Sequence, residues 1–134
     1  MKRFALHQLP LILYAIIIFY ISSLSRLPDT GWDIRFLDKL AHAVEYFIFG
    51  LLAIRAFTGR STAARPGRTY ACAVLFSLLY GLSDEFHQRF VPGRSADPVD
   101  LLADGIGIFL AVGFHYLLLG RRPTAPGGKG MPKP

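Results

Sequence analysis

The chain has 134 residues, enough for one domain at most, and it is 52% hydrophobic and only 18% charged, with a mean hydropathy of +0.38. That is too apolar for an ordinary soluble domain of this size. The net charge of +6 does not indicate nucleic acid, because the basic residues flank apolar runs instead of forming one surface. A lone Cys72 inside an apolar run excludes an internal disulfide and reads as a small packing residue.

Four apolar stretches follow one another. The first, 4–25, carries no charge apart from a neutral His7 and is long enough to cross a hydrocarbon core of about 30 Å. An uncleaved helix is expected there over a signal peptide: the apolar run is long, and no small-residue cleavage site follows before Pro28. The others span about 38–58, 69–88 and 98–119, with uncharged cores shorter than a simple span needs. Acidic ends supply their missing length, so carboxylates are expected to dip into a protein-lined cavity at the interface. Between the second and third spans, 58–68 reads as a polar loop with Gly and Pro. The Pro/Gly-rich 121–134 reads as a disordered tail.

The expectation is therefore an all-α integral membrane four-helix bundle over 1–120. Orientation comes from charge. Ten of the fifteen Lys and Arg residues flank the N-terminus, the second junction and the tail, whereas all nine acidic residues fall at the other end. Positive residues stay inside. Both termini are thus expected in the cytoplasm and the acidic junctions outside, in a multi-pass protein of the bacterial inner membrane.

A helix turns 100° per residue, so Asp38, His42 and Glu45 share a face. Ser77, Gly81, Asp84 and Gln88 share another, with Glu85 at its edge. Asp97, Asp100 and Asp104 share a third, beside a small-residue stripe of Ala103, Gly107 and Ala111 that should let helices approach closely. A Pro92-Gly93 turn precedes Ser95 and Asp97, the two candidate N-caps of the fourth helix. Arg94 is expected to pair with the surrounding carboxylates.

The runs Asp38-Lys39-Leu40-Ala41-His42-Ala43-Val44-Glu45-Tyr46, Ser83-Asp84-Glu85-Phe86-His87-Gln88, Val91-Pro92-Gly93-Arg94 and Asp97-x-x-Asp100-x-x-x-Asp104-x-x-Gly107 resemble the VanZ-like family of small bacterial membrane proteins over about residues 9–119. The resemblance implies a cell-envelope role connected with lowered susceptibility to the glycopeptide antibiotic teicoplanin. It supplies a compartment, not a reaction. Within it, Glu45 and Asp104 carry less weight than His42, Asp84, Glu85 and Gln88.

Three readings of the polar groups stand side by side. In a scaffold, they only hold the helices together. Helix dipoles then favour Asp38, Asp97 and Asp100 near helix starts but disfavour Asp84 and Glu85 in a last turn, which call for a positive partner such as Arg89, Arg94, Lys39, a protonated His42 or His87, or a metal. In an enzyme, crowded carboxylates resist joint ionisation and leave an acid beside a base. Asp84 would then be base or nucleophile, Glu85 the acid, His42 an orienting group, and Lys39 and Arg94 a clamp, with Gln88, Asp97 and Asp100 binding an envelope lipid or cell-wall component. In a pure binder, Arg94 and Lys39 would matter most. A Zn²⁺ or Mn²⁺ variant draws on Asp38, His42, Asp84 and His87, with Glu45 and Glu85 as further donors. Ion conduction is not expected, since the inner halves hold only Arg55 and His115. The sequence leaves the ligand and the oligomeric state open.

Overall fold

Each apolar run becomes helical in the computed structural model, which describes residues 2–25, 34–59, 66–94 and 96–118. The order is α1 (Lys2–His7), α2 (Leu9–Ser22), α3 (Ile34–Thr58), α4 (Pro66–Gln88) and α5 (Pro98–Leu118). No strand occurs among the described residues. The Arg26, Pro28, Asp29, Trp32 and Asp33 part of the first junction, Arg60 and Arg65, the Ser95 cap and the 121–134 tail lie outside them.

The first run is not one helix. It breaks at Gln8, and Pro10 stands in the first turn of α2, where a residue without an N–H breaks no bond. Gln8 Nε2 donates to the Ala56 carbonyl at 3.0 Å, and Arg55 donates to the Leu6 carbonyl at 2.8 Å, so the break is fastened to the end of α3. By length and composition, α3 (over Phe36–Thr58) and α5 can cross a membrane. The 14-residue α2 is shorter than a span, and the 23-residue α4 carries Asp84, Glu85 and Gln88 at one end.

The described surface is rich in apolar side chains, and polar groups are buried beside an apolar core. Ile12, Leu13 and Ile16 on α2, Leu75 and Leu79 on α4, and Leu102, Ile106 and Phe109 on α5 are exposed, whereas His42, Asp84, Glu85, Gln88, Asp100 and Asp104 are buried. An exposed apolar surface of this extent marks contact with something other than water.

Helix α3 is the hub, packing most extensively on α5. The predicted small-residue stripe lies in that contact: Ala103, Gly107 and Ala111 are all buried. A Cβ on Gly50 would meet Ala111 Cβ at 3.0 Å, and one on Gly107 would collide with the Ala43 carbonyl oxygen. On the other side of α3, the buried Phe49 ring packs on Tyr14, Phe76 and Tyr80, with centroids 6.5, 5.9 and 4.8 Å away. The Tyr80 hydroxyl donates to the Ala15 carbonyl at 2.6 Å, joining α4 to α2.

Candidate functional site

The polar ends of four helices meet. The last turn of α2 brings Ser22 and Ser23, the first half of α3 brings Lys39 and His42, α4 ends on Asp84, Glu85, His87 and Gln88, and α5 begins with Asp100 and Asp104. A tight connection holds the last two helices in register. The N–H groups of Phe90, Val91 and Arg94 donate to the carbonyls of His87, Gln88 and Val91 at 2.9, 3.1 and 3.1 Å. Gly93 turns the chain at φ 77°, a left-handed conformation that favours glycine. Of the two candidate caps, Asp97 is seen to act: its Oδ1 accepts the Val99 N–H at 2.9 Å, with Pro98 opening the helix.

Lys39 Nζ is shared between Asp97 Oδ2 at 3.0 Å and Asp100 Oδ1 at 2.7 Å. One helical turn deeper, His42 Nδ1 lies 2.9 Å from Asp104 Oδ1, and Nε2 lies 4.0 Å from Asp100 Oδ2. His42, Asp100 and Asp104 are 7%, 2% and 1% exposed, so their charges are compensated mainly by one another and by Lys39.

Asp84 and Glu85, adjacent in sequence, face different neighbours. Asp84 Oδ1 accepts the Ser22 hydroxyl at 2.5 Å, and Oδ2 accepts Gln88 Nε2–H at 3.1 Å. Glu85 Oε2 accepts the Asp97 backbone N–H at 3.1 Å, and Oε1, although buried, has no hydrogen-bond partner. Beside them His87 Nε2 lies 3.0 Å from the Ser23 hydroxyl, and its ring stacks on Phe19 with centroids 4.5 Å apart.

Several expectations change. Asp84 is met by neutral donors, Ser22 and Gln88, and Glu85 Oε2 by the Asp97 backbone N–H, with His42 the imidazole whose charge reaches Glu85. Arg94 makes no ion pair within 4 Å among the described residues, although its charge reaches Glu45; its Nε donates to the Leu24 carbonyl at 3.2 Å, tying the α4–α5 connection to the segment after α2. Asp38 sits in the second turn of α3, not at its start, so the dipole favours it less than supposed. Asp104, given less weight in the sequence, is the most deeply buried acid of the cluster. Ser22 and Ser23 were not anticipated, although a Ser-Ser pair closing an apolar run was a visible signal. At the far end of the helices His115 Nδ1 meets the Tyr70 hydroxyl at 3.0 Å, away from the cluster.

Among the described residues, two sets of potential metal donors have atoms within 4.8 Å of one another: Asp38, His42 and Asp100, and His42, Glu85 and Asp104. The other sequence candidates, Asp84 and His87, belong to neither set. They turn toward α2 instead.

An open apolar cavity of about 460 Å³ runs along α2 from Gln8 through Leu11, Ala15 and Ile16 to Phe19, and is bounded also by Phe57 of α3 and by Phe76 and Tyr80 of α4. Phe19, at one end of the cavity, also stacks on His87.

An all-helical chain with an apolar exterior and carboxylates and imidazole sunk between its helices has the layout of a membrane protein with an internal polar site. The chain belongs to the VanZ/LLP1 family, whose profile matches residues 6–119. Family membership and the two long apolar helices together point to a membrane protein of the cell envelope. No curated protein and no solved structure shows a significant match to it.

Proposed function

We propose that the protein is a multi-pass protein of the bacterial inner membrane that acts on, or holds, an amphipathic component of the cell envelope. Both termini lie in the cytoplasm, and the acidic cluster opens outward. The ligand is a lipid-linked cell-wall intermediate or a lipid headgroup, and the outcome is lowered susceptibility to teicoplanin-type glycopeptides. One observation carries the choice of an amphipathic ligand: Phe19, at one end of the apolar cavity, stacks on His87, whose Nε2 lies 3.0 Å from the Ser23 hydroxyl, so a hydrocarbon chain in the cavity would bring a headgroup to the polar end of α2 and α4.

On this reading Glu85, with an unsatisfied oxygen, is the group best placed to exchange a proton with the headgroup. Asp84, fixed by Ser22 and Gln88, serves as the companion base, and His42 is oriented by Asp104. Lys39, held by Asp97 and Asp100, and Arg94, held by the Leu24 carbonyl, are the cations that a phosphate or carboxylate headgroup would draw from those partners.

A second reading, a non-enzymatic scaffold or binder, is favoured by the hydrogen bonds that run between helices: Ser22 to Asp84, Lys39 to Asp97 and Asp100, and His42 to Asp104. The two readings separate in a susceptible host expressing wild type, Glu85→Gln or Asp84→Asn at matched abundance. Wild type should raise the inhibitory concentration of teicoplanin, and both variants should fall back to the empty-vector level while remaining folded. Full protection by either folded variant would assign its carboxylate to the scaffold.

A further inference from the structure

We infer that His42, Glu85 and Asp104 form a binding site for one divalent transition-metal ion, with Asp100 supporting His42 from behind. The inference goes beyond the envelope-lipid reading and stands on the donor geometry alone.

One donor atom from each of the three residues lies within 4.8 Å of the other two, and all three residues are buried. Two ligands on an ion, each about 2.1 Å away, are about 3.0 Å apart at an octahedral angle and about 3.4 Å apart at a tetrahedral one. The 2.9 Å between His42 Nδ1 and Asp104 Oδ1 meets the octahedral spacing and falls about 0.5 Å short of the tetrahedral one. An ion taking the place of the shared proton there requires little movement of either side chain.

Glu85 gives an independent sign. It is 5% exposed, one oxygen is engaged by the Asp97 N–H, and Oε1 is buried with no partner. A buried carboxylate oxygen left unmet is costly unless something positive meets it. The Tyr46 hydroxyl is likewise buried and unpartnered. A Cβ built on Gly81 would touch both the Tyr46 ring and Asp104 Oδ2, at 3.1 and 3.2 Å, so glycine leaves open the space between these groups.

The second coordination layer is also in place. A histidine bound to a metal through one nitrogen commonly donates its other N–H to a carboxylate. Asp100 Oδ2 stands 4.0 Å from His42 Nε2, and closure by about 1 Å would make that hydrogen bond. Asp100 is itself held through Oδ1 by Lys39 at 2.7 Å. That ion pair also decides between the two donor sets. In Asp38, His42 and Asp100, the last carboxylate already faces an ammonium, whereas Glu85 and Asp104 have no Lys or Arg within 4 Å among the described residues. Two carboxylates and one neutral imidazole balance a dication, and mixed nitrogen and oxygen ligands suit Zn²⁺ or Mn²⁺.

The test is calorimetric titration of Zn²⁺, and separately of Mn²⁺, into full-length protein purified in detergent and stripped with chelator. The wild type should bind one ion per chain and gain thermal stability from it. Glu85→Gln keeps an acceptor for the Asp97 N–H and should fold, yet bind the ion roughly tenfold or more weakly. Asp104→Asn should do the same where it folds, and Asp38→Asn should bind like wild type. Failure of folded wild type to bind either ion stoichiometrically would overturn the inference. So would unchanged binding in Glu85→Gln, or loss in Asp38→Asn with Glu85→Gln unaffected. Because the readout is ion binding, the result stands apart from any antibiotic phenotype.

Discussion

Replacing Gly107 with alanine is expected to prevent α3 and α5 from packing as they do. The added Cβ would collide with the Ala43 carbonyl oxygen and lie 2.9 Å from the Phe47 nitrogen. Both are backbone atoms of a helix, so no rotamer change relieves the overlap, and the helices must separate. Overpacking of this kind costs about 1–3 kcal/mol or more. Here it falls on the most extensive helix contact of the molecule, and Gly107 lies one turn from Asp104, so the His42–Asp104 bond is pulled apart as well. Thermal unfolding and size-exclusion profiles in detergent check this. Gly107→Ala should be poorly folded or aggregated. Gly113→Ala, where a Cβ meets nothing within 4 Å, should behave as wild type. A stable, monodisperse Gly107→Ala would show that α5 does not lie against α3 in this way.

Removing the imidazole is the other change with a large expected effect. His42→Ala leaves Asp104 and Asp100 buried, with Asp104 stripped of its hydrogen-bond partner. Breaking a buried ion pair from one side destabilises by about 3–5 kcal/mol, because the remaining charge is uncompensated. Replacing both partners by packed apolar residues is often neutral. His42→Leu combined with Asp104→Leu should therefore recover most of the stability that His42→Ala loses. Recovered stability without recovered protection against teicoplanin would mean that the pair does more than hold α3 to α5. Recovery of both would mean that holding is its whole role. Comparing thermal midpoints of the two variants with their effects on susceptibility makes the distinction.

Much of the frame was legible in the chain. The stretch expected at 98–119 is α5, Pro98–Leu118, and the stretch expected at 69–88 is α4, Pro66–Gln88. Helical periodicity placed His42 on one face, Asp84 and Gln88 on a second, and Asp100 and Asp104 on a third. The structure turns these faces toward a common interior. Small residues at Ala103, Gly107 and Ala111 announced the close contact of α5 correctly, because only their side chains leave room for a neighbouring backbone.

What periodicity does not encode is the height and rotation of one helix against another, and those choose partners. They send Arg94 to the Leu24 carbonyl instead of a carboxylate and hand Asp84 to Ser22. They also bring Asp104 to His42 at the centre of the cluster. Periodicity did set Glu85 100° from Asp84, but not which neighbours each would meet. The break at Gln8 was hidden differently. Pro10 is compatible with a continuous apolar run in composition, and only its place in a first turn shows that a helix restarts there.

On the proposed reading the acidic cluster faces the outside of the cell, where envelope components are met. The most direct measurement is labelling of intact cells with a membrane-impermeant maleimide, in a Cys72→Ser background carrying a single new cysteine. Pro92→Cys lies at the exposed turn beside the cluster, and Thr58→Cys lies at the exposed far end of α3. With the cluster outside, Pro92→Cys is labelled in intact cells and Thr58→Cys only after the membrane is opened. The reverse pattern would place the cluster in the cytoplasm and overturn the proposed orientation.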